Sequence, residues 1–235
     1  MGESGTRADR FVRLASEIVA CRRCPRLVEW REKVAQDPPA RYALEEYWAR
    51  PLPGFGDPDA RIVVVGLAPA AHGGNRTGRL FTGDRSGDFL FAALHRAGLA
   101  NQPTSVDVDD GLYLHGTYVT AAVRCAPLDN EPLLAERDNC RPFLVRELEL
   151  LPEARVIVAL GRFAWDALRG TLAMLGHRSV GPAKFGHGAE VVVGRFRLVG
   201  SYHPSQQNTF TGRLTPAMLD DVLLRARDLA GETRH

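Results

Sequence analysis

The feature that most constrains the fold is a series of short apolar segments that alternate with helical patterns. The predicted strands are 61–66, 117–123, 156–160, 191–193 and 197–199. The predicted helices are 10–20, 86–97 (with Ser86 as its cap), 139–151, 162–172 and 215–230. Strands that are apolar at consecutive positions are buried on both faces, and their alternation with helices favours a parallel sheet. The sequence therefore predicts the α/β class.

Length and composition fit one domain. Apolar residues make up 45% and charged residues 25% of the 235 residues, the balance of an ordinary globular chain. No repeat or heptad pattern interrupts it, so we expect a single domain over 1–235, with the N-terminal helix and cysteine pair (about 10–24) packed on it. No apolar run reaches the ~18 residues of a membrane helix, and residues 1–10 lack a secretory signal. We expect a cytoplasmic protein without a membrane partner.

The chain has four cysteines, Cys21, Cys24, Cys125 and Cys140. In a reducing cytoplasm two disulfides are not expected, so the thiols indicate a metal site or plain buried residues. The C-x-x-C pair and two distant cysteines suit tetrahedral zinc or a cubane iron–sulfur cluster, and spacing does not separate the two. A thioredoxin-like redox pair is disfavoured because Cys21 follows a helix.

Three loops follow predicted strands and are rich in unusual residues: 66–84, 121–130 and 201–213. Ligands of parallel sheets bind at the carboxyl ends of the strands, so we expect these loops to converge on one cleft. The first loop is rich in glycine, but it lacks both the Walker pattern and a dinucleotide fingerprint. Its glycines allow the backbone to approach an anion or a base closely.

Several segments together resemble the uracil-DNA glycosylase superfamily, and specifically its family 5, the type B enzymes with an iron–sulfur cluster. They are Gly66-Leu67-Ala68-Pro69-Ala70, Leu80-Phe81-Thr82-Gly83-Asp84 and His203-Pro204-Ser205 through Gly212-Arg213. The resemblance spans roughly residues 21–213. It implies a three-layer α/β/α sandwich around a central four-stranded parallel sheet. It also implies a four-iron, four-sulfur cluster on the four cysteines, a choice that spacing alone left open.

The implied function is base excision repair: hydrolysis of the N-glycosidic bond of uracil, and of other deaminated or damaged bases, in duplex DNA. Single-stranded DNA is a second candidate partner, and the protein is expected to be a monomer. The alternatives are a non-catalytic DNA-binding or polymerase-associated iron–sulfur module and, less favoured, an electron-transfer protein. Electron transfer explains neither His-Pro-Ser nor the polar loop after it.

The resemblance also assigns residues. The expected catalytic residues are His203, Asp84 and Asn130. The expected base-binding residues are Gly66, Ala68, Pro69, Ala70, Phe81 and Ala121. The expected DNA-binding residues are Arg76, Gln206, Gln207, Asn208 and Arg213.

Three positions depart from the relatives' pattern. Classical uracil enzymes have an aspartate where this chain has Ala68, and family 4 has a glutamate where it has Leu67. Water activation is therefore expected from Asp84 or Asn130. Ala121 replaces the asparagine that reads uracil in relatives, so a broader pocket is expected, because the hydrogen-bond test that rejects other bases is lost.

Overall fold

The computed structural model describes residues 5–180 and 184–231. Within them six strands form one sheet in the order β1-β3-β2-β4-β6-β5. The strands are β1 (Phe55–Gly56), β2 (Ile62–Gly66), β3 (Thr117–Ala121), β4 (Val156–Leu160), β5 (Glu190–Val193) and β6 (Phe196–Ser201). The central neighbours β3, β2, β4 and β6 are parallel, which confirms the four-stranded core. The prediction omitted β1, and both β1 and β5 pair antiparallel at the edges.

Eight α-helices lie in the described part of the chain. They are α1 (Arg7–Val19), α2 (Pro25–Gln36), α3 (Gly74–Thr77), α4 (Arg85–Arg96), α5 (Leu134–Leu150), α6 (Arg162–Met174), α7 (Gln206–Phe210) and α8 (Pro216–Ala230). All five predicted helices are present, although α5 begins five residues earlier than the predicted 139. The sequence reasoning missed α2, in spite of the proline at its first position, and described the stretch containing α7 only as a polar loop.

The helices form two layers, one on each face of the sheet. Every residue of β2, β3 and β4 is buried, as the apolar runs predicted. The helices α4 and α8 pack together over one face, while α5 and α6 cover the other. The N-terminal helix α1 packs on α5 through Leu14 and Ile18, next to Phe143 and Leu150. The three-layer sandwich is thus confirmed.

The cap of α4 differs from the prediction. Ser86 was expected to cap this helix, but the helix begins at Arg85 and its N-cap is Asp84. The Oδ1 atom of Asp84 accepts a hydrogen bond of 2.9 Å from the backbone N–H of Gly87. A carboxylate at this position also interacts favourably with the helix dipole. The expected start of α8 is confirmed, since Thr215 caps it and Pro216 is its first residue.

The sheet topology places a crevice at the carboxyl ends of the central strands. The register pairs Gly66 with Ala121 and Leu160 with Ser201, so these strands end at one edge. The connection after β2 runs through α4 on one face, and the connection after β4 runs through α6 on the other. Between strands whose connections diverge in this way, the loops separate and leave room for a ligand.

Residues 1–4, 181–183 and 232–235, which belong to the predicted domain over 1–235, lie outside the described residues. In the described ranges, none of the helices has both the length and the apolar character needed to cross a membrane.

Candidate active site

His203 lies at the carboxyl edge of the sheet, two residues after β6, and is half-buried. Its backbone oxygen accepts a hydrogen bond of 2.8 Å from the Asn208 side chain. Gly161 lies beside it, and a Cβ added to this glycine would be 3.3 Å from the Cβ of His203. Desolvation lowers the pKa of His203 from 6.5 to about 4. At neutral pH the imidazole is therefore uncharged, with one ring N–H to donate.

The ring of Phe81, another predicted site residue, lies next to the ring of His203. Their ring centroids are 6.3 Å apart, at an interplanar angle of 32°. Phe81 has a left-handed backbone, with φ of 54°, which is uncommon for a residue with a side chain. Its ring tip covers Gly66, where an added Cβ would lie 2.4 Å from Cζ of Phe81. The glycine at the end of β2 therefore makes room for the aromatic ring.

A buried polar network holds the loop that carries Phe81. The guanidinium of Arg79 donates to Thr82 Oγ1 at 3.1 Å, to Ser105 Oγ at 2.7 Å and to Asp110 Oδ2 at 2.6 Å. Arg79 and Asp110 are almost fully buried, and the pairing keeps the pKa of Asp110 low despite its desolvation. Buried polar groups that satisfy one another in this way fix a local conformation.

Asp84 faces the glycine-rich loop. Besides capping α4, its carboxylate lies against Gly73, where an added Cβ would be 2.1 Å from Asp84 Oδ2. Burial raises the pKa of Asp84, and the N–H groups of Gly87 and Ser86 partly offset that rise. The second oxygen, which does not cap the helix, is the one directed at the loop.

A cavity of about 370 Å³ opens beside His203. Three of the predicted residues line it: His203, Asn208 and Arg213. The aromatic residues Phe163, Phe185 and Tyr202 also line it, and the sequence reasoning missed all three. Arginines stack on two of these rings, with Arg162 5.7 Å from the Phe185 centroid and Arg213 4.7 Å from that of Tyr202. The wall is therefore aromatic and cationic.

Other predicted residues lie outside this cavity. Ala121 is completely buried, in the same apolar cluster as Phe81. Asn130 is exposed and has a left-handed backbone, with φ of 59°. Ala68, Pro69 and Ala70 follow β2, and Gln206 and Gln207 are exposed on α7.

Arg76 has partners within the protein. Its Nε atom donates to the carbonyl of His72 at 2.9 Å, and its guanidinium pairs with Glu45. The guanidinium also stacks on Tyr42, 4.3 Å from the ring centroid. These contacts brace the glycine-rich loop, and the DNA contact expected of Arg76 stays a prediction.

The four cysteines are unpaired and gather at one place. Cys24, Cys125 and Cys140 are buried in one small apolar cluster, and Cys21 is half-buried beside it. Burial raises the pKa of the Cys125 thiol to about 12 and that of Cys140 to about 11. Across 5–180 and 184–231, no group of three histidine, cysteine or acidic side chains is arranged to hold a metal ion. In a cubane each thiolate binds a different iron, so its four ligands stand further apart than the ligands of one ion.

The surroundings of Arg31, a residue that the sequence analysis missed, show whether an anionic group fits between the four cysteines. The side chain is 2% exposed, and its Nη1 donates to Cys125 Sγ at 2.9 Å. Its Nε has no hydrogen-bond partner in the protein. The carboxylate paired with this buried guanidinium is that of Glu32, which is 3.9 Å from Arg31 Nη2, is 36% exposed and is hydrogen-bonded to Arg22. Neutral thiols add no further anion to compensate the buried charge. A cluster held by four thiolates carries negative charge and fits this setting. Arg31 lies on α2, seven residues after Cys24, and nothing in its sequence context marks it as buried.

Comparison with known proteins identifies the family of this chain. The model of the uracil DNA glycosylase superfamily matches residues 53–227. The chain therefore belongs to the uracil DNA glycosylase superfamily. It is 56% identical to the type-5 uracil-DNA glycosylase of Thermus thermophilus, over 91% of this chain and 95% of that protein. It is 53% identical to the type-5 enzyme of Mycobacterium bovis, over 95% of this chain and 83% of the relative. Identity to the type-5 enzyme of Pyrobaculum aerophilum is 50%, over 95% and 93% of the two chains.

Proposed function

We propose that this protein is a uracil-DNA glycosylase of base excision repair, which hydrolyses the N-glycosidic bond of uracil and other deaminated bases in duplex DNA. The observation that carries the proposal is the juxtaposition of His203 and Phe81 at the carboxyl edge of the sheet. The identity of 50–56% to type-5 uracil-DNA glycosylases supports it. A base inside the stack is out of reach, so the nucleotide must rotate out of the duplex before the reaction.

His203 acts as the hydrogen-bond donor to the departing base. When the glycosidic bond breaks, negative charge develops on the base and positive charge on the sugar. A hydrogen-bond donor fixed where the anion forms lowers the barrier to breaking the glycosidic bond. A neutral imidazole has one N–H group and can donate this hydrogen bond without transferring its proton. The low pKa of His203 keeps it in that form.

Phe81 stacks on the flipped base, while the loop of Gly66, Ala68, Pro69 and Ala70 borders it through the backbone. Ala121 offers a methyl group where an amide would test for uracil. The site therefore accepts uracil opposite guanine, and also hypoxanthine, xanthine or altered pyrimidines, because no directional partner rejects them.

Asp84 and Asn130 are the proposed water-binding residues. The Asp84 carboxylate, with one oxygen on the α4 cap, uses the other to hold a water and to stabilise positive charge on the sugar. Asn130 contributes from the loop after Cys125.

The four cysteines hold a four-iron, four-sulfur cluster. When bound, this group supplies a structural tie between α2, the loop after β3 and α5. Purified protein is then expected to be brown, with about four irons per chain. One zinc per chain in the same metal analysis would contradict the assignment.

The DNA-binding surface follows His203 along the chain. Gln206, Gln207, Asn208 and Arg213 contact the strand, with Gln207 filling the gap left by the flipped nucleotide. Arg76 is a further proposed DNA contact, on the glycine-rich loop that it braces. We place the protein in the cytoplasm as a monomer, with single-stranded DNA as a second substrate.

Single-turnover cleavage of a uracil-containing duplex tests the proposal, with hypoxanthine and xanthine duplexes as further substrates. Cleavage by the wild type that falls about a hundredfold or more in His203→Ala is the expected result, since this is the loss for one such donor. Binding without cleavage of any of these duplexes would favour the alternative, a non-catalytic DNA-binding or polymerase-associated iron–sulfur module.

A further inference from the structure

Phe210 is a large aromatic residue left open to solvent beside the active site. It is the last residue of α7, seven positions after His203, and is 68% exposed. A single exposed apolar side chain is common on protein surfaces, so a role for Phe210 depends on what lies around it. The DNA-contact residues expected from the sequence do not include it.

Phe210 stands on a rigid support. Within α7, the Asn208 side chain donates to the His203 carbonyl, and the Asn208 carbonyl accepts from the backbone N–H of Leu214 at 3.0 Å. Leu214 is completely buried, which anchors the end of this segment in the core. The segment that carries Phe210 is therefore tied to the backbone of His203 on one side and to the core on the other.

Arg85 reaches the same ring from another element. Its guanidinium carbon lies 5.3 Å from the Phe210 centroid, and Arg85 is the exposed first residue of α4, next to Asp84. The pair spans the space between the start of α4 and the loop after β6. Residues 206–213 include Arg213 and no acidic residue, so the surface suits an anionic, aromatic partner.

We propose that Phe210 stacks on the nucleobase adjacent to the flipped nucleotide, while Arg85 contacts a neighbouring phosphate. The inference rests on the proposed function and adds Phe210 and Arg85 to its DNA contacts. Base–aromatic stacking tolerates any sequence, because every base offers a π-face, and an arginine over the ring adds a cation for the backbone.

The spacing of Gln207 and Phe210 along α7 suits contacts with two successive positions of the DNA. Residues three apart lie on the same face of a helix, so Gln207 and Phe210 project from one side of α7. Three residues rise about 4.5 Å along an α-helix, close to the ~3.4 Å between successive base pairs. Gln207 occupies the gap, and Phe210 meets the next base in the stack.

The test uses a duplex with a 2′-fluorinated deoxyuridine, which resists cleavage, and 2-aminopurine as a fluorescent base. The fluorophore is placed in turn on each side of the flipped position and opposite it. With the wild type, we expect 2-aminopurine at one of these positions to stay quenched by stacking. Phe210→Ala should brighten that position and weaken binding about five- to a hundredfold, whereas Phe210→Trp should preserve both.

Tyr113→Ala is the matched control. Tyr113 is 55% exposed but lies before β3, at the opposite edge of the sheet, so its removal should change neither signal. Arg85→Gln should lower the slope of log affinity against log salt by about one, the loss of one phosphate contact. Fluorescence and affinity that do not depend on Phe210 at any position would overturn the proposal.

Cleavage of the natural uracil duplex by the wild type is measured in parallel. If the wild type cleaves and Phe210→Ala matches it in affinity and fluorescence, the inference fails and the function stands. If the wild type does not cleave, the proposed function fails on that measurement alone. A Phe210→Trp protein that folds but behaves like Phe210→Ala would also count against stacking.

Discussion

The protonation state of one histidine determines what kind of help it gives to a breaking glycosidic bond. An imidazolium at the site of the departing base would act as an acid, whereas a neutral imidazole acts through a hydrogen bond. His203 belongs to the second kind, because its surroundings oppose the charged form. The protonation states of His203 and of Asp84 each lead to a testable prediction.

For His203, we expect a single-turnover rate without an acidic limb near pH 6.5, the ordinary value for the residue. Because the folded pKa is about 4 and the unfolded value is 6.5, only the unfolded chain binds the proton between them. The contribution of His203 to stability is therefore constant above pH 6.5 and falls as the pH drops toward 4. A rate that titrates near pH 6.5 in the wild type and loses that step in His203→Ala would contradict this assignment.

For Asp84, Asp84→Asn should lower the rate about ten- to a thousandfold, because the amide keeps the shape but supplies no charge. Its melting temperature at neutral pH should be equal to or higher than that of the wild type. Asparagine caps a helix as well as aspartate does, and the raised pKa of Asp84 means that its ionised form is penalised in the fold.

The stability difference between the two proteins should shrink in acid, since protonation of Asp84 removes the penalty as the pH falls through its raised pKa. Asp84→Ala serves as the control, because it removes both the cap and the water ligand and should lose stability and rate together. A wild-type rate in Asp84→Asn would reduce Asp84 to a helix cap.

At the scale of elements, the site depends on how closely the end of β2 and the loop before α4 approach. Gly66 at the end of β2 leaves space for the Phe81 ring, and the network of Arg79, Asp110 and Ser105 holds that loop from behind. The ring of Phe81 thus packs against the backbone of Gly66, and the buried Arg79–Asp110 pair holds the loop that carries it.

Gly66→Ala should therefore displace the Phe81 ring. Overpacking of this kind costs about 1–3 kcal/mol of unfolding free energy, and a misplaced substrate contact loses up to about a hundredfold in rate. The double variant Gly66→Ala/Phe81→Leu tests the cause, because the smaller side chain accepts the added methyl group. It should recover the stability without recovering the rate, and independent, additive effects of the two changes would refute direct contact.

At the scale of the whole molecule, the parts predicted from sequence are those with a periodic signal. The buried strands β2 and β4 were predicted because their residues are apolar on both faces, and β3, which contains Thr117 and Thr120, was predicted as part of the longer segment 117–123. The strand β1 has only two residues, which pair through tertiary register with Val119 and Tyr118, so no local pattern reveals it. The helix α7 is almost entirely polar, and its boundaries depend on contacts with His203 and Leu214.

In the candidate active site too, the residues predicted from the sequence are those that belong to a recognisable motif. Motifs gave His203, Phe81 and Asp84, which lie within the loops that the sheet brings together. They did not give Phe163, Phe185 or Tyr202, because single aromatic residues in separate elements look like ordinary core residues until the fold places them around one cavity. Arg31 was missed for a similar reason, since one arginine on a helix carries no signal of its burial.

Arg31 is also where the cysteine site and the rest of the molecule meet. Its guanidinium contacts Cys125, while its backbone carbonyl accepts a hydrogen bond of 3.3 Å from Asn75, in the glycine-rich loop. If the cysteines hold an anionic cluster, Arg31 is its buried counter-charge. Removing one partner of a buried ion pair costs about 3–5 kcal/mol, because the other charge is left uncompensated.

We therefore predict that Arg31→Gln is purified with less iron than the wild type and loses its visible absorption faster in air, whereas Arg31→Lys lies between the two. Arg22→Gln is the matched control, because it removes the same charge from between Cys21 and Cys24 at a side chain that is 62% exposed. Water screens that charge, so Arg22→Gln should retain iron like the wild type. Equal iron content and bleaching rates in Arg31→Gln and Arg22→Gln would show that the cluster does not need the buried cation. If only Arg31→Gln loses its visible absorption faster than the wild type, then the buried charge of Arg31, ten residues after Cys21, stabilises the bound cluster.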